Sequence, residues 1–104
     1  ELRESDVAAR YGGEEFLLVL PGARQPDAVE AMRRVRLRLR KLPLEGGLQV
    51  TASFGVCELR ADIADADAWL READTLLYSA KRAGRDRIAH AAPDAAGVEL
   101  ASVD

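Results

Sequence analysis

The chain has few of the residues that build disulfide scaffolds or metal clusters. Of its 104 residues one is cysteine, one is tryptophan and one is histidine, and aromatic residues make up 5%. The single cysteine, Cys57, excludes an intrachain disulfide and gives no metal-cluster spacing. We expect it to be a small, half-buried residue on the strand face opposite the larger apolar side chains. His90 has no serine or cysteine nearby in the sequence, which favours a surface residue.

Long apolar runs and a positive net charge are also absent. No apolar run reaches the roughly 18 residues of a membrane span, and the polar start at residues 1–4 does not resemble a signal peptide. We therefore expect this segment to be cytoplasmic and without membrane contact, although other domains could anchor a parent protein. The formal net charge of −3 argues against nonspecific nucleic-acid binding. A composition of 48% hydrophobic and 32% charged residues fits one small domain with a modest core.

Two glycines followed by two glutamates form the most informative pattern. They lie between the apolar-rich runs Val7 to Tyr11 and Phe16 to Leu20, and this predicts a β-hairpin with a tight turn. The four residues are Gly12, Gly13, Glu14 and Glu15. Glycine lets a phosphate approach the backbone, and Mg²⁺ prefers carboxylate oxygens together with substrate phosphates. The pattern indicates a metal-nucleotide site, and the spacing alone fits an ordinary solvated turn equally well.

Apolar residues at helical spacing predict two helices. The first runs from about Pro26 to Lys41 and is ended by Pro43. Its apolar stripe is Ala28, Met32, Val35, Leu39 and Leu42. Its other face carries arginines, which a solvated surface explains: Arg33, Arg34, Arg36, Arg38 and Arg40. The second helix begins near Asp65 or Asp67 and ends before Gly84. Its stripe is Trp69, Leu70, Ala73, Leu76, Leu77 and Ala80, and we expect Trp69 to pack in the core.

Alternation of apolar and polar residues predicts a half-buried strand from Leu48 to Val56. It follows Gly46 and Gly47, which interrupt the regular secondary structure. Gly55 within this strand suggests a bulge or a close approach of another backbone. A short strand at residues 87–89 closes the ordered part. Residues 91–104 are rich in alanine and lack sustained periodicity, so we expect a loose, disordered tail.

The predicted order is hairpin, helix, strand, helix, short strand. This is a β-α-β-β-α-β arrangement without its first strand and first helix, so we expect an α+β fold, ferredoxin-like with flanking helices and incomplete. The missing strand normally lies in the middle of the sheet. Without it, two inner edges either rejoin directly or accept a segment from another chain.

Four separated blocks, covering roughly Arg3 to Ile88, resemble the GGDEF family of diguanylate cyclases. The blocks are Arg10 to Phe16, Val50 to Val56, the helix residues Ala73-Asp74, Leu77-Tyr78 and Ala80-Lys81, and finally Gly84-Arg85. The resemblance identifies residues 1–90 as the C-terminal part of a GGDEF domain, here of the GGEEF type. It implies a fold like that of nucleotidyl cyclases and polymerase palms.

The resemblance implies an activity and an assembly. The family condenses two GTP molecules into cyclic di-GMP and releases pyrophosphate, and each GTP is held by one of two facing domains, so a homodimer is expected. Glu14 would bind Mg²⁺ or Mn²⁺ and help to deprotonate the attacking hydroxyl, with Glu15 supporting the metal. Gly12 and Gly13 would admit the nucleotide.

Two cations near the end of the second helix complete the implied substrate site. Lys81 and Arg85 lie four residues apart, and we expect them to share one face of the last helical turn and to reach the triphosphate. Taken without the other blocks, this pair is better explained by the preference of basic residues for a helix C-terminus.

The resemblance also implies an inhibitory site that binds the product. Arg3 and Asp6 form an RxxD pattern upstream of the glycine pair, in the position of the family's product-binding site. A guanidinium can grip a guanine edge or a phosphate, and a carboxylate can accept from guanine N–H groups. Arg34 matches a further position of this site, and a solvated surface explains it equally well.

The chain departs from the family in two ways: Asp86 stands where Asn is common, and two segments of the family's domain are missing. The family's first strand, with the Asp that completes the metal site, and the next segment, which recognises guanine, have no counterpart in these residues. We therefore expect a diguanylate cyclase parent and little or no GTP turnover by the 104 residues alone. Two alternatives are a noncatalytic cyclic di-GMP receptor using Arg3 and Asp6, and an interaction fragment that pairs strands to form an oligomer.

Overall fold

The computed structural model describes residues 7–10, 16–42, 45–47, 51–91 and 98–101. Its elements are β1 (Val7–Arg10), β2 (Phe16–Val19), α1 (Gln25–Arg40), a 3-10 turn (Glu45–Gly47), β3 (Phe54–Val56), α2 (Ala66–Arg82), β4 (Ile88–Ala91) and β5 (Val98–Leu100). Strands β1 and β2 form one antiparallel sheet. In a second sheet, β4 lies between β3, to which it is parallel, and β5, to which it is antiparallel. The α+β class is as predicted.

The predicted hairpin is confirmed by the pairing of its strands. The register runs from Val7 opposite Val19 to Arg10 opposite Phe16. Residues 11–15 therefore connect two paired strands. This connection contains the Gly-Gly-Glu-Glu pattern and itself lies outside the described residues, as do Arg3 and Asp6.

Helix α1 has the predicted position, within one residue at each end, but its buried face differs. Pro26 lies in the first turn, where a backbone N–H would have no helical acceptor. The buried residues are Val29, Met32 and Arg36, spaced three and four apart along one stripe. The expectation that Arg36 lies on a solvated face is therefore wrong. Leu42, assigned to the apolar stripe, lies beyond the helix and is 47% exposed.

Helix α2 begins where the acidic pair predicts. Asp65 is the N-cap, and its side chain accepts a hydrogen bond from the backbone N–H of Ala68 at 2.8 Å. Leu76 and Ala80 are buried on the predicted stripe. Trp69 is half-buried and belongs to neither buried core cluster, so the expectation of core packing is not met. Its indole N–H donates to the carbonyl of Cys57 at 2.9 Å, which satisfies its polar edge.

The two helices pack on opposite faces of the three-stranded sheet. One core cluster joins α1 to the sheet through Val29, Met32, Val56 and Ile88, and the other joins α2 to it through Leu76, Ala80 and Ala89. Neighbouring strand residues such as Ile88 and Ala89 point to opposite faces, so each serves a different helix. Cys57 packs on the α2 side and is half-buried, as expected.

Gly55 lies where α2 comes closest to β3. A Cβ at this position would meet the backbone nitrogen of Leu77 and the carbonyl oxygen of Ala73, and would lie 2.9 Å from the Leu77 Cα. Of the two predicted explanations for this glycine, the close approach is therefore the one that holds.

Two strand predictions need correction. Strand β3 covers only Phe54–Val56, whereas residues 51–53 are not in a strand and residues 48–50 lie outside the described part. The pairing of β3 with β4 starts at Phe54, because Phe54 lies opposite Ile88, the first residue of β4. The expected loose tail contains β5, which pairs with the outer edge of β4 and places Ala101 against the core. An exposed strand edge offers unpaired N–H and C=O groups, and β5 satisfies them.

The two sheets are not joined through the strands that the structure describes. In that part of the chain β2 pairs only with β1, and β3 pairs only with β4. Direct rejoining, one of the two alternatives for the missing strand, is thus not observed there. Among the described residues, no helix has the length and apolar character needed to cross a membrane.

Candidate functional site

The C-terminal end of α2 carries the two cations singled out by the sequence. Lys81 lies in the last turn of the helix and is half-buried. The expectation that Arg85 shares this turn is wrong, because α2 ends at Arg82 and Arg85 lies beyond it, exposed to solvent. The backbone N–H of Arg85 nevertheless donates to the carbonyl of Ala80 at 3.1 Å. This return of the chain keeps Lys81 and Arg85 at the same end of the helix.

The segment after the helix adopts a left-handed backbone conformation at three consecutive residues. The φ angles are 127° at Gly84, 62° at Arg85 and 49° at Asp86. Gly84 accepts such a value without steric cost, and its place after the C-cap Ala83 is the usual one for glycine. For Arg85 and Asp86 the conformation costs about 1–2 kcal/mol each. The surrounding contacts must therefore hold this turn in place.

Arg36 of α1 supplies three of those contacts. Its Nε donates to both the carbonyl oxygen and the Oδ1 of Asp86 at 2.9 Å, and its Nη2 donates to Oδ2 at 3.3 Å. Arg36 is only 4% exposed, so this charge is buried and paired by hydrogen bonds to one residue's side chain and backbone. On the other side, the N–H of Asp86 donates to the Ser53 Oγ at 3.0 Å.

Arg34, the described member of the expected inhibitory site, is on the exposed face of α1. Its side chain is 54% exposed, and Nη1 lies 3.6 Å from Oε2 of Glu30 one turn earlier. Such exposed pairs contribute only a few tenths of a kcal/mol, roughly 0.3–0.5. Arg34 is thus on the surface of α1, and the other two residues of the expected site, Arg3 and Asp6, lie outside the described residues.

Metal ligands are expected at the hairpin connection. Within the described parts of the chain, no group of three or more His, Cys, Asp or Glu side chains is placed to hold a metal ion. The two carboxylates predicted for Mg²⁺ are Glu14 and Glu15, in the connection between β1 and β2. Two hard oxygen donors beside glycine fit the ligand chemistry of Mg²⁺, which takes few protein ligands and completes its shell with water and phosphate.

A second charged cluster lies near the start of α2. Arg60 donates from Nη1 and Nη2 to the two carboxylate oxygens of Glu72 at 2.8 and 3.0 Å, and its Nε donates to Oδ1 of Asp62 at 2.9 Å. These hydrogen bonds, first of all the one to Glu72, raise the pKa of Arg60. The bond from Arg60 lowers the pKa of Glu72 and that of Asp62. The cluster fastens the loop before α2 to the helix.

Cys57 borders this cluster and is held in its neutral form. Burial, and after it the hydrogen bond to Glu72 at 3.4 Å, raise the pKa of the Cys57 thiol to about 11. A thiol with a raised pKa is a poor nucleophile. Glu72 also precedes Lys81 by about 14 Å along the helix axis. Neither observation connects this cluster with the cations at the far end of α2.

Three comparisons with known proteins agree on one family. The family described as "Diguanylate cyclase, GGDEF domain" matches residues 1–87. The chain is 43% identical over 88 residues to "Probable diguanylate cyclase DgcC" of Escherichia coli (strain K12), covering 83% of this chain and 24% of that protein. It is 37% identical over 90 residues to "Diguanylate cyclase DgcP" of Pseudomonas aeruginosa, covering 84% of this chain and 13% of that protein.

A solved structure agrees with the sequence comparisons. The chain superposes with a TM-score of 0.78 and 45% identity on the diguanylate cyclase SiaD from Pseudomonas aeruginosa, whose crystal structure was determined in complex with its activator SiaC. The match covers 86% of this chain and 35% of that one. The fold is thus that of a diguanylate cyclase domain. The chain belongs to the GGDEF domain family, and it spans a quarter or less of the length of the two relatives named above.

Sequence reasoning missed the contribution of Arg36 and the function of Asp86. The sequence contained a signal for Arg36, because it follows Val29 and Met32 by seven and four positions and so continues their buried stripe. Its position among four other arginines hid that signal. Asp86 was noted only as a departure from the family's common Asn, whereas its carboxylate is the partner of the buried guanidinium.

Proposed function

We propose that the whole protein containing this chain condenses two GTP molecules into cyclic di-GMP and releases pyrophosphate. The observation that carries the proposal is the register of the hairpin, which makes residues 11–15 the connection between paired strands. Family membership supports the reaction, and two cations at one end of α2 suit a polyphosphate substrate. Each GTP would be held by one of two facing copies of the domain.

The proposed roles follow from the charge that develops during nucleotidyl transfer. Glu14 and Glu15 would hold Mg²⁺ (or Mn²⁺), which when bound lowers the pKa of the attacking hydroxyl and neutralises phosphate charge. Gly12 and Gly13 would let the backbone approach the nucleotide, since neither carries a side chain. Lys81 and Arg85 would bind the triphosphate oxygens and stabilise the charge on the departing pyrophosphate.

We further propose that the 104 residues alone turn over little or no GTP. The family's first strand supplies an aspartate to the metal site and is followed by the residues that recognise guanine, and these residues have no counterpart here. In the described part of the chain, the unpaired edges of β2 and β3 are consistent with a strand that belongs between the two sheets. Pyrophosphate release by the isolated chain at the rate of the whole protein would contradict this proposal.

The activity is tested by measuring pyrophosphate release from GTP and Mg²⁺ with the whole protein. We expect Glu14→Gln to lower turnover at least ~100-fold, because the amide keeps the shape of the side chain but loses the charge. Glu45→Gln is the control, since Glu45 is an exposed acid that likewise lies next to a glycine pair, on its N-terminal side. Equal activity in both variants, or no cyclic di-GMP in the wild type, would overturn the proposed function.

Product inhibition through Arg3, Asp6 and Arg34 is proposed as the regulation of this enzyme. Titration calorimetry with cyclic di-GMP should show at least ~10-fold weaker binding to Arg3→Ala and to Arg34→Ala, because each removes a bidentate donor. Arg40→Ala, an exposed arginine at the end of α1, serves as the control. Unchanged affinity in both site variants would show that the product binds elsewhere.

A further inference from the structure

We infer that Arg36 is a positioning residue for the proposed reaction, because it holds the turn that presents Arg85. The inference rests on the proposed function, in which Arg85 contacts the triphosphate. Arg36 itself is 4% exposed and therefore does not reach a substrate. It acts through Asp86, the residue next to Arg85 in the chain.

The contact is specific to the turn. One nitrogen of Arg36, Nε, donates to both the backbone oxygen and the side chain of Asp86, and a second nitrogen donates to the same carboxylate. The pair thus fixes the main chain and the side chain of Asp86 together. An arginine used only to neutralise a carboxylate would need no bond to the carbonyl.

The same residue is held from the opposite side by the sheet. The N–H of Asp86 donates to Ser53 Oγ immediately before β3, and Phe54 N–H donates to the carbonyl of Arg87 at 2.9 Å. The turn is therefore fastened to α1 through Arg36, to the start of β3 through Ser53, and to α2 through the bond from Arg85 to Ala80.

The backbone of the turn explains why such fastening is needed. Arg85 and Asp86 both have positive φ, a region that side chains other than glycine seldom occupy. Without the bonds from Arg36, the segment would relax toward ordinary conformations and carry the Arg85 guanidinium with it. A displacement of about 1 Å would lengthen the hydrogen bonds from the Arg85 guanidinium to the triphosphate and so weaken the binding of GTP.

The test is a double-mutant cycle in the whole protein, with Arg36→Lys, Arg85→Ala and the double variant. Lysine keeps the positive charge. Its single ammonium nitrogen cannot replace both Nε and Nη2 of arginine, which together bind the carbonyl oxygen and the carboxylate of Asp86. We expect Arg36→Lys to raise the KM for GTP about 10-fold, and to change it less than about 2-fold when Arg85 is already alanine. Arg40→Lys, the same substitution one helical turn later on the exposed surface, should leave KM unchanged.

A structural role alone would give a different result. Loss of stability would reduce the folded fraction and the apparent kcat equally in both backgrounds, with KM unchanged. That outcome would overturn the inference, as would a KM effect of equal size with and without Arg85. If Arg36→Lys fails to fold, Ser53→Ala is used instead, because it removes the hydrogen bond from the Asp86 N–H to Ser53 Oγ. We expect Ser53→Ala to raise the KM for GTP about 3-fold only when Arg85 is present.

Failure of the inference and failure of the proposed function give separate results. A wild-type protein that makes no cyclic di-GMP overturns the function, and with it the effect of Arg36 on catalysis. An active wild type whose KM is insensitive to Arg36→Lys and to Ser53→Ala overturns the assignment of Arg36 and leaves the function intact.

Discussion

The backbone of Gly55 in β3 lies against the backbone of Leu77 in α2 so closely that no side chain fits between them. We expect Gly55→Ala to lower the free energy of unfolding by roughly 3 kcal/mol or more, because a methyl group would press against main-chain atoms, which cannot move aside as a side chain can. Urea titration followed by circular dichroism measures this change.

Gly22→Ala provides the comparison for that experiment. Gly22 has a φ of 79° and no neighbouring atom within 4 Å, so alanine there meets only the left-handed backbone penalty, about 1 kcal/mol. Similar losses in the two variants would show that the approach of α2 to β3 is not tight.

The N-cap of α2 distinguishes two acids that the sequence could not separate. Asp65→Ala should cost about 1 kcal/mol of stability, because it leaves the Ala68 N–H without its side-chain acceptor. Asp67→Ala removes a charge of the same sign from the first turn and should cost only about 0.3 kcal/mol. If thermal unfolding showed the larger loss for Asp67→Ala, the assigned N-cap would be wrong.

The pair Arg60 and Glu72 should make stability depend on acid pH. The pKa of Glu72 is lowered from its ordinary 4.5 in the folded chain, so its contribution is present above 4.5 and is lost as pH falls through the lowered value. Glu72→Gln should therefore lower stability by roughly 0.5–1 kcal/mol at neutral pH and by almost nothing near pH 2. Glu30→Gln, which weakens exposed pairs with both Arg33 and Arg34, should cost about 0.5 kcal/mol. A Glu72→Gln loss that persists in acid would contradict an ionic origin.

Cys57 should react slowly with alkylating reagents. Its pKa of about 11, against an ordinary 9.0, reduces the thiolate at pH 8 roughly 100-fold relative to a free thiol. Because the raised pKa favours the neutral thiol, its contribution to stability is present below 9.0 and is lost as pH rises through about 11. Glu72→Gln removes one cause and leaves burial, so alkylation should become faster but stay slower than in the unfolded chain. Wild-type labelling at the rate of a free thiol would disprove the burial of this group.

Local patterns were sufficient to locate the hairpin and both helices. Each of these elements is marked by a signal that acts within a few residues of chain. The signals are the apolar runs on either side of the glycines, the proline in the first turn of α1, the acidic start of α2, and Gly84 after the end of α2. Each therefore leaves a signal that can be read without knowing the neighbours. The residues that identify the family are also local signals, because four short sequence blocks in the right order were enough to identify it.

Only the tertiary structure decided the environment of Arg36, the length of β3, the pairing of β5 and the departure of Arg85 from the helix. Arg36 and Asp86 are 50 positions apart, and Ser53 and Asp86 are 33 apart. Distant segments decide such features. Which of the five arginines of α1 is buried depends on the segment that packs against the helix, and the length of a strand depends on how far its neighbouring strand extends. The sequence by itself determined the family and the order of the elements as far as β4. Packing between α1, β3 and the turn after α2 determined which charges are buried and where the Arg85 backbone is held.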